Sequence, residues 1–182
     1  YKPGVPLDDL LSIISDIDGW IIRSGTKIQK NHILKAKKLQ VIGRAGVGTD
    51  NIDIESATLN GVVVMNVPDG NTVSAAEHTL AMISALSRNI QLGHMGLVNG
   101  SWDRHKLVGH ELRGKILGVV GLGKIGREVI KRALSFDMKI LGYDPYVSQD
   151  NFDDSEIKVV SIDKLTKNSD YISLHVPFND KT

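Results

Sequence analysis

Three glycines, Gly121, Gly123 and Gly126, stand in the order G-x-G-x-x-G directly after the apolar run Ile116-Leu117-Gly118-Val119-Val120 and before a helix-like stretch reaching about Ser135. That spacing suits a pyrophosphate. The first glycine permits a tight turn, the second lets backbone approach the anion with no Cβ in the way, and the third allows helix to pack closely on strand. The helix N-terminus then presents unsatisfied N–H groups to the anion. A second apolar run, Lys139 to Tyr143, ends at Asp144, eighteen residues after Gly126. An acid there accepts hydrogen bonds from free ribose hydroxyls and repels a 2′-phosphate, so the pattern predicts NAD rather than NADP. A tight turn beside a solvated Asp144 is the plainer reading, but it does not require strand, glycines, helix, second strand and acid to coincide.

Elements that must position this turn follow from hydrophobic pattern. Strand-sized apolar runs recur at Trp20 to Ile22, Leu39 to Ile42, Val62 to Met65, Ile116 to Val120, Lys139 to Tyr143 and Tyr171 to Val176. Helix-like stretches alternate with them, which argues an α/β fold on parallel sheet. Asn31 to Lys38 and Ile52 to Asn60 read as helices, the second capped by Asp50-Asn51 and closed by Gly61. Ser74 to about Asn89 reads as a long buried helix opened by a Ser74/Glu77 capping box. Gln91 to Lys115, with five glycines and no clean period, reads as an extended arm. The domain boundary is expected near Pro68 to Asn71, dividing 1–69 from 70–182, with the arm over 90–115.

The 182 residues carry a formal net charge of +1, which provides no global field for nucleic acid or an anionic membrane. No apolar stretch approaches the roughly 20 residues of a spanning helix. Without cysteine there is no disulfide, thiolate nucleophile or cysteine zinc site. Cytoplasm is the default setting. The opening Tyr1-Lys2-Pro3-Gly4 has neither initiator Met nor apolar signal region and reads as a cut end.

Three further segments extend the pattern: Ile21-Ile22-Arg23-Ser24-Gly25-Thr26-Lys27; Ile42-Gly43-Arg44-Ala45-Gly46-Val47-Gly48-Thr49-Asp50-Asn51-Ile52-Asp53; and Asn66-Val67-Pro68-Asp69-Gly70-Asn71-Thr72-Val73-Ser74-Ala75-Ala76-Glu77-His78. Together with Trp102-Asp103-Arg104, Gly109 to Lys115 and Gly126-Arg127-Glu128, they make the chain resemble the D-2-hydroxy acid dehydrogenases, nearest the 3-phosphoglycerate branch, over nearly its whole length. The resemblance implies a partial flavodoxin-like substrate domain, a partial Rossmann nucleotide-binding domain and an arm that builds a homodimer. It implies Arg23, Ser24, Arg44, Gly46 and Arg104 toward the substrate. Toward NAD it implies Val47, Gly121, Gly123, Lys124, Ile125, Gly126, Asp144, Pro145, His175, Val176 and Pro177.

It also implies that an opening strand precedes Tyr1, and that the family's catalytic Arg and Glu–His pair lie beyond Thr182. No catalytic residue is then expected within the chain. The activity expected of the parent is oxidation of 3-phosphoglycerate to 3-phosphohydroxypyruvate. A glyoxylate or hydroxypyruvate reductase, a formate dehydrogenase and a non-catalytic NAD-sensing corepressor are the alternatives, because fold alone does not select among them.

Other tempting residues have plainer readings. His78 in its helix is expected to be a packed, hydrogen-bonded imidazole rather than a general base. His175, at a strand end, divides between cofactor contact and packing. Guanidinium forks at Arg23, Arg44 and Arg104 suit carboxylate and phosphate, against the alternative of solvated surface, to which Lys27 and the Lys35 to Lys38 cluster are assigned. Trp102 is expected to anchor the arm.

Overall fold

The computed structural model describes residues 11–152 and 157–177, so the Tyr1 to Gly4 end lies outside the described residues. The chain divides into two compact units, Tyr1–Asn71 and Thr72–Thr182.

In the first unit, β1 (Gly19–Ile22), β2 (Val41–Arg44) and β3 (Val63–Asn66) form a parallel sheet in that order, with α1 (Lys30–Lys35) and α2 (Ile54–Leu59) as the crossovers. The register aligns Ile22, Arg44 and Asn66 across the carboxyl ends of the strands. Ile22 and Ile42 point into a core completed by Ile14, Ile28, Ile33 and Ala57. At about 1.5–3 kcal/mol for each large side chain taken fully from water, this cluster holds the helices to one face of the sheet. Ile21 and Met65, on the opposite face, are exposed.

Two expectations for this unit are corrected. Asn51 is not the cap of α2. Asp53 is, its carboxylate accepting the Ser56 N–H at 2.8 Å. That bond, with a second from the Ser56 hydroxyl, holds the Asp53 carboxyl below its ordinary range. Strand β2 begins at Val41 rather than Leu39, because the Leu39 N–H turns back to donate to the Ala36 carbonyl at 3.1 Å instead of joining the sheet. Gly61 does close α2 with φ +70, a conformation that costs glycine little.

The second unit opens with α3 (Thr72–Ser87) and α4 (Ile90–Val98), then runs β4 (Ile116–Val120), α5 (Lys124–Leu134), β5 (Lys139–Tyr143), β6 (Ile157–Val159), α6 (Ile162–Asn168) and β7 (Tyr171–Leu174). Among the described residues its strands are parallel in the order β6-β5-β4-β7. Strand β4 is nearly continuous in apolar residues because both of its faces are covered, as parallel sheets require. Helix α5 carries Ile125, Val129 and Ala133 at four-residue spacing on its inner face, against Ala76, Leu80 and Ile83 of α3. Lys131 and Arg132 in its last turn oppose the negative end of the helix dipole. The Asp170 carboxylate accepts the Ile116 N–H at 2.8 Å and so ties the starts of β7 and β4 together. This bond, helped by Lys115, keeps its pKa low.

Several expectations fail here for identifiable reasons. The supposed extended arm contains α4 and a 3-10 turn, Arg104–Leu107. Its glycines hid the helix: Gly93 and Gly96 lie inside α4, where a Cβ would stand at an ordinary contact distance of 3.5 Å from Leu107 and from the Ser101 carbonyl respectively. Ser74 and Glu77 form no N-terminal capping box, since α3 begins at Thr72. Glu77 instead faces Arg132, 3.8 Å away. Helix α3 buries one face only, leaving Met82 and Leu86 exposed. His78 lies on that outer side, exposed rather than packed. The last strand ends at Leu174, and β6 and α6 were not anticipated.

Candidate functional site

Each unit gathers predicted site residues at the carboxyl ends of its parallel strands. In the second unit the strand order reverses beside β4, since the chain passes from β6 on one side to β7 on the other. Ligands of doubly wound sheets bind at such a switch point.

The turn after β4 is built by its glycines. Gly121 has φ +94, and a Cβ there would stand 2.5 Å from the His175 carbonyl oxygen and 2.9 Å from Val176 Cγ1. No larger residue fits between the ends of β4 and β7. The Gly121 N–H donates to the Tyr143 carbonyl at 2.8 Å, which draws the end of β5 to the same place. A Cβ on Gly126 would collide with the Gly121 carbonyl oxygen, so the third glycine lets α5 lie against the turn. Gly123 differs. It caps α5 with no side-chain hydrogen bond and has open space around its would-be Cβ.

Asp144 follows β5 and is half-buried. Its Oδ2 accepts the Leu122 N–H and its Oδ1 the Tyr146 N–H, each at 2.9 Å. A carboxylate oxygen has two lone pairs, so both oxygens keep capacity for ribose hydroxyls. Lys124 opens α5, Ile125 is partly buried against the core, and Pro145 is exposed beside Asp144. His175 lies just beyond β7. Its N–H donates to the Val120 carbonyl at 2.7 Å, and its Nε2 shares a hydrogen with Ser173 Oγ at 2.9 Å. Burial pushes the His175 pKa down, which favours the neutral ring. Val176 is half-buried and Pro177 exposed next to it. The open backbone at Gly123, the helix N-terminus and the half-buried acid fit a dinucleotide whose pyrophosphate meets the turn and whose ribose meets Asp144.

In the first unit, Arg23 and Ser24 follow β1 and are exposed, while Arg44 ends β2 and Gly46 and Val47 come directly after. Arg44 Nε is buried without a partner, and the guanidinium lies over Gly46, where any Cβ would strike it. An orphaned charged donor is suited to an anionic group. Two residues whose part was missed position this end. Asn51, buried, donates to the Arg23 and Thr26 carbonyls at 3.1 and 2.6 Å and so shapes the loop carrying Arg23 and Ser24. Asn66 donates to the Val47 carbonyl at 2.6 Å. Both stand within the segments that carry the family resemblance, and their amide-to-backbone bonds join stretches far apart in sequence.

Arg104 belongs to the second unit, exposed in the 3-10 turn after α4, next to an Asp103–Lys106 ion pair of 3.0 Å. The Lys106 hydrogen bond holds the Asp103 carboxyl low. Among the described residues no group of His, Cys, Asp and Glu is arranged to hold a metal, and no helix is long and apolar enough to cross a membrane.

Comparison with known proteins gives this geometry a family. Residues 80–182 match the NAD binding domain of the D-isomer specific 2-hydroxyacid dehydrogenases. The chain is 48% identical over 180 residues to a D-3-phosphoglycerate dehydrogenase of Methanocaldococcus jannaschii, covering 98% of this chain and 34% of that protein. It is 42% identical over 181 residues to the Homo sapiens D-3-phosphoglycerate dehydrogenase, again covering 34% of the relative's length. Thus the chain spans about a third of the relatives it matches. Among solved structures, an NAD-dependent formate dehydrogenase from Staphylococcus aureus in complex with NAD aligns with a TM-score of 0.86 at 34% identity. That alignment covers 96% of this chain and 53% of the other. The chain belongs to the D-isomer specific 2-hydroxyacid dehydrogenase family.

Proposed function

We propose that the whole protein is a cytoplasmic, homodimeric NAD-dependent oxidoreductase that converts 3-phosphoglycerate to 3-phosphohydroxypyruvate. The observation that carries the reading is 48% identity along nearly the entire chain to a protein of that name. Two structural features support it: the glycine turn with Asp144, and a cationic end of the first sheet.

NAD, when bound, supplies the hydride acceptor. The chain's own residues bind and orient. Backbone at Gly123 and the start of α5 receives the pyrophosphate, with Lys124 and Ile125 at the same turn, and Asp144 and Pro145 receive the adenosine ribose. His175, Val176 and Pro177 line the cofactor beyond β7. Arg23, Ser24, Arg44 and Gly46 receive the substrate's carboxylate and phosphate. For Arg44 the favourable exchange is the replacement of an unpaired buried Nε–H by a charge-assisted hydrogen bond. Arg104, exposed in the 3-10 turn after α4, is a further cation available to an anionic group. The exposed Leu86, Ile90, Leu97, Val98 and Trp102 on and after α3 and α4 are assigned to the contact with a second copy.

The test is NADH formation by the full-length protein with 3-phosphoglycerate, D-lactate, D-glycerate or formate. Turnover greatest with 3-phosphoglycerate is expected. Preference for another acid would move the protein to a different branch of the family, and NAD binding without turnover of any acid would favour a sensor.

A further inference from the structure

Leu122 stands between the first two glycines of the turn and is nearly inaccessible, at 2% exposure. Its side chain packs over Gly142, where a Cβ would come within 3.0 Å of it. Both peptide groups of this residue are taken up by side chains from elsewhere. Its N–H goes to Asp144 at 2.9 Å, and its carbonyl accepts Arg127 Nε–H at 3.0 Å. The Arg127 guanidinium is itself braced, its Cζ lying 4.4 Å from the centre of the Phe152 ring in the segment after β5. A guanidinium held over an aromatic face loses little further freedom on making one more bond.

Peptide planarity turns this into an orientation. Among the described residues no peptide bond is cis, so the Leu122–Gly123 unit is planar with its C=O and N–H pointing in opposite directions. Fixing the Leu122 carbonyl on Arg127 aims the Gly123 N–H away from that side chain. The Gly123 carbonyl is meanwhile committed to the first turn of α5, accepting the Arg127 N–H at 3.0 Å. The Gly123 N–H then joins the N–H groups at the start of α5 as a donor to an anion.

We propose that Arg127 is a positioning residue for the dinucleotide turn. Braced by Phe152, it holds the Leu122–Gly123 peptide so that the Gly123 N–H faces the pyrophosphate. Arg127 touches neither cofactor nor substrate in this role. It acts through Leu122, and it ties the pyrophosphate turn to the segment that follows Asp144. The proposal rests on the NAD reading given above.

The experiment uses the full-length protein and its Arg127→Ala, Arg127→Lys and Phe152→Leu variants, with NAD affinity read by calorimetry and KM and kcat read separately. Arg127→Ala is expected to weaken NAD about tenfold, the scale of one charge-assisted hydrogen bond. Phe152→Leu, which keeps the bond but removes the brace, is expected to weaken it about threefold. Arg127→Lys should recover part of the loss, since an ammonium can reach the Leu122 carbonyl but cannot lie flat on the ring. KM for NAD should rise in step while kcat and the KM for the hydroxy acid stay near wild type. NAD affinity within twofold of wild type in a folded Arg127→Ala protein overturns the proposal. If that variant does not fold, unchanged affinity in both Arg127→Lys and Phe152→Leu overturns it equally. A fall in kcat at constant NAD affinity also rejects it. A wild-type protein that binds no NAD removes the underlying reading as well, and so is distinguishable from failure of this inference alone.

Discussion

Asp144 Oδ2 accepts the backbone N–H of Leu122 at 2.9 Å, so the acid that follows β5 is bonded into the glycine turn that follows β4. One carboxylate thereby lies at both the ribose end and the pyrophosphate end of the proposed cofactor site. A substitution at Asp144 cannot alter ribose recognition without also loosening the turn.

Replacing Asp144 by Ala is expected to cost about 1–3 kcal/mol of NAD binding, since a charged acceptor is lost together with an anchor of the turn. Calorimetry on the full-length protein measures it. The wild type should prefer NAD to NADP, because a 2′-phosphate would meet the carboxylate. Equal affinity for the two cofactors would show that Asp144 does not face the ribose.

Gly123 and Gly126 should separate binding from stability. A methyl at Gly126 runs into the Gly121 carbonyl, so Gly126→Ala should destabilise by about 1–3 kcal/mol, as overpacking does, and should also weaken NAD. A methyl at Gly123 meets open space, so Gly123→Ala should cost less than about 1 kcal/mol of stability through the poorer N-cap. It should nevertheless obstruct the pyrophosphate. Urea midpoints paired with NAD titrations check both, and a Gly123→Ala protein with undiminished NAD affinity would contradict this assignment.

His175 predicts a pH dependence. Burial lowers its folded pKa below the ordinary 6.5, so as the pH falls through that value the unfolded chain takes up a proton that the folded chain resists. Stability from the neutral ring is complete above 6.5 and declines toward the folded pKa. Chemical denaturation across this window should show a fall with acid that is reduced in His175→Gln. An unchanged slope in that variant would mean that His175 is not the group responsible.

Trp102, 76% exposed, follows the apolar helix α4. If it lies in a two-fold contact, Trp102→Ala removes the same anchor from both copies. Sedimentation of the full-length protein should show a dimer that dissociates more readily in the variant. A wild type that stays monomeric at all concentrations would reject the arm-mediated dimer.

Much of the second unit was legible along the chain because its signals are local. An apolar run of five residues, three glycines at fixed offsets and an amphipathic helix each act within a few residues of themselves, so β4, the turn and α5 follow from order and spacing alone. The same holds for β5 and the acid after it. What failed was where a local rule met a long-range partner. Glycines within Gln91 to Lys115 suggest an extended arm, yet Gly93 and Gly96 sit inside α4, a helix that packs on the 3-10 turn following it. Ser74 and Glu77 have capping-box spacing, but α3 starts earlier and Glu77 faces Arg132, more than fifty residues away in sequence.

The sequence by itself thus determined an α/β chain with a dinucleotide turn at the end of β4, because that chemistry is written in short-range spacing. Only the tertiary structure decided that Asn51 shapes the Arg23–Thr26 loop, that Arg44 Nε is orphaned, and that Leu122 is gripped by Asp144 and Arg127. Those relationships arise where parallel strands distant in sequence end side by side. No periodicity within a single segment encodes which carbonyl a distant side chain will reach.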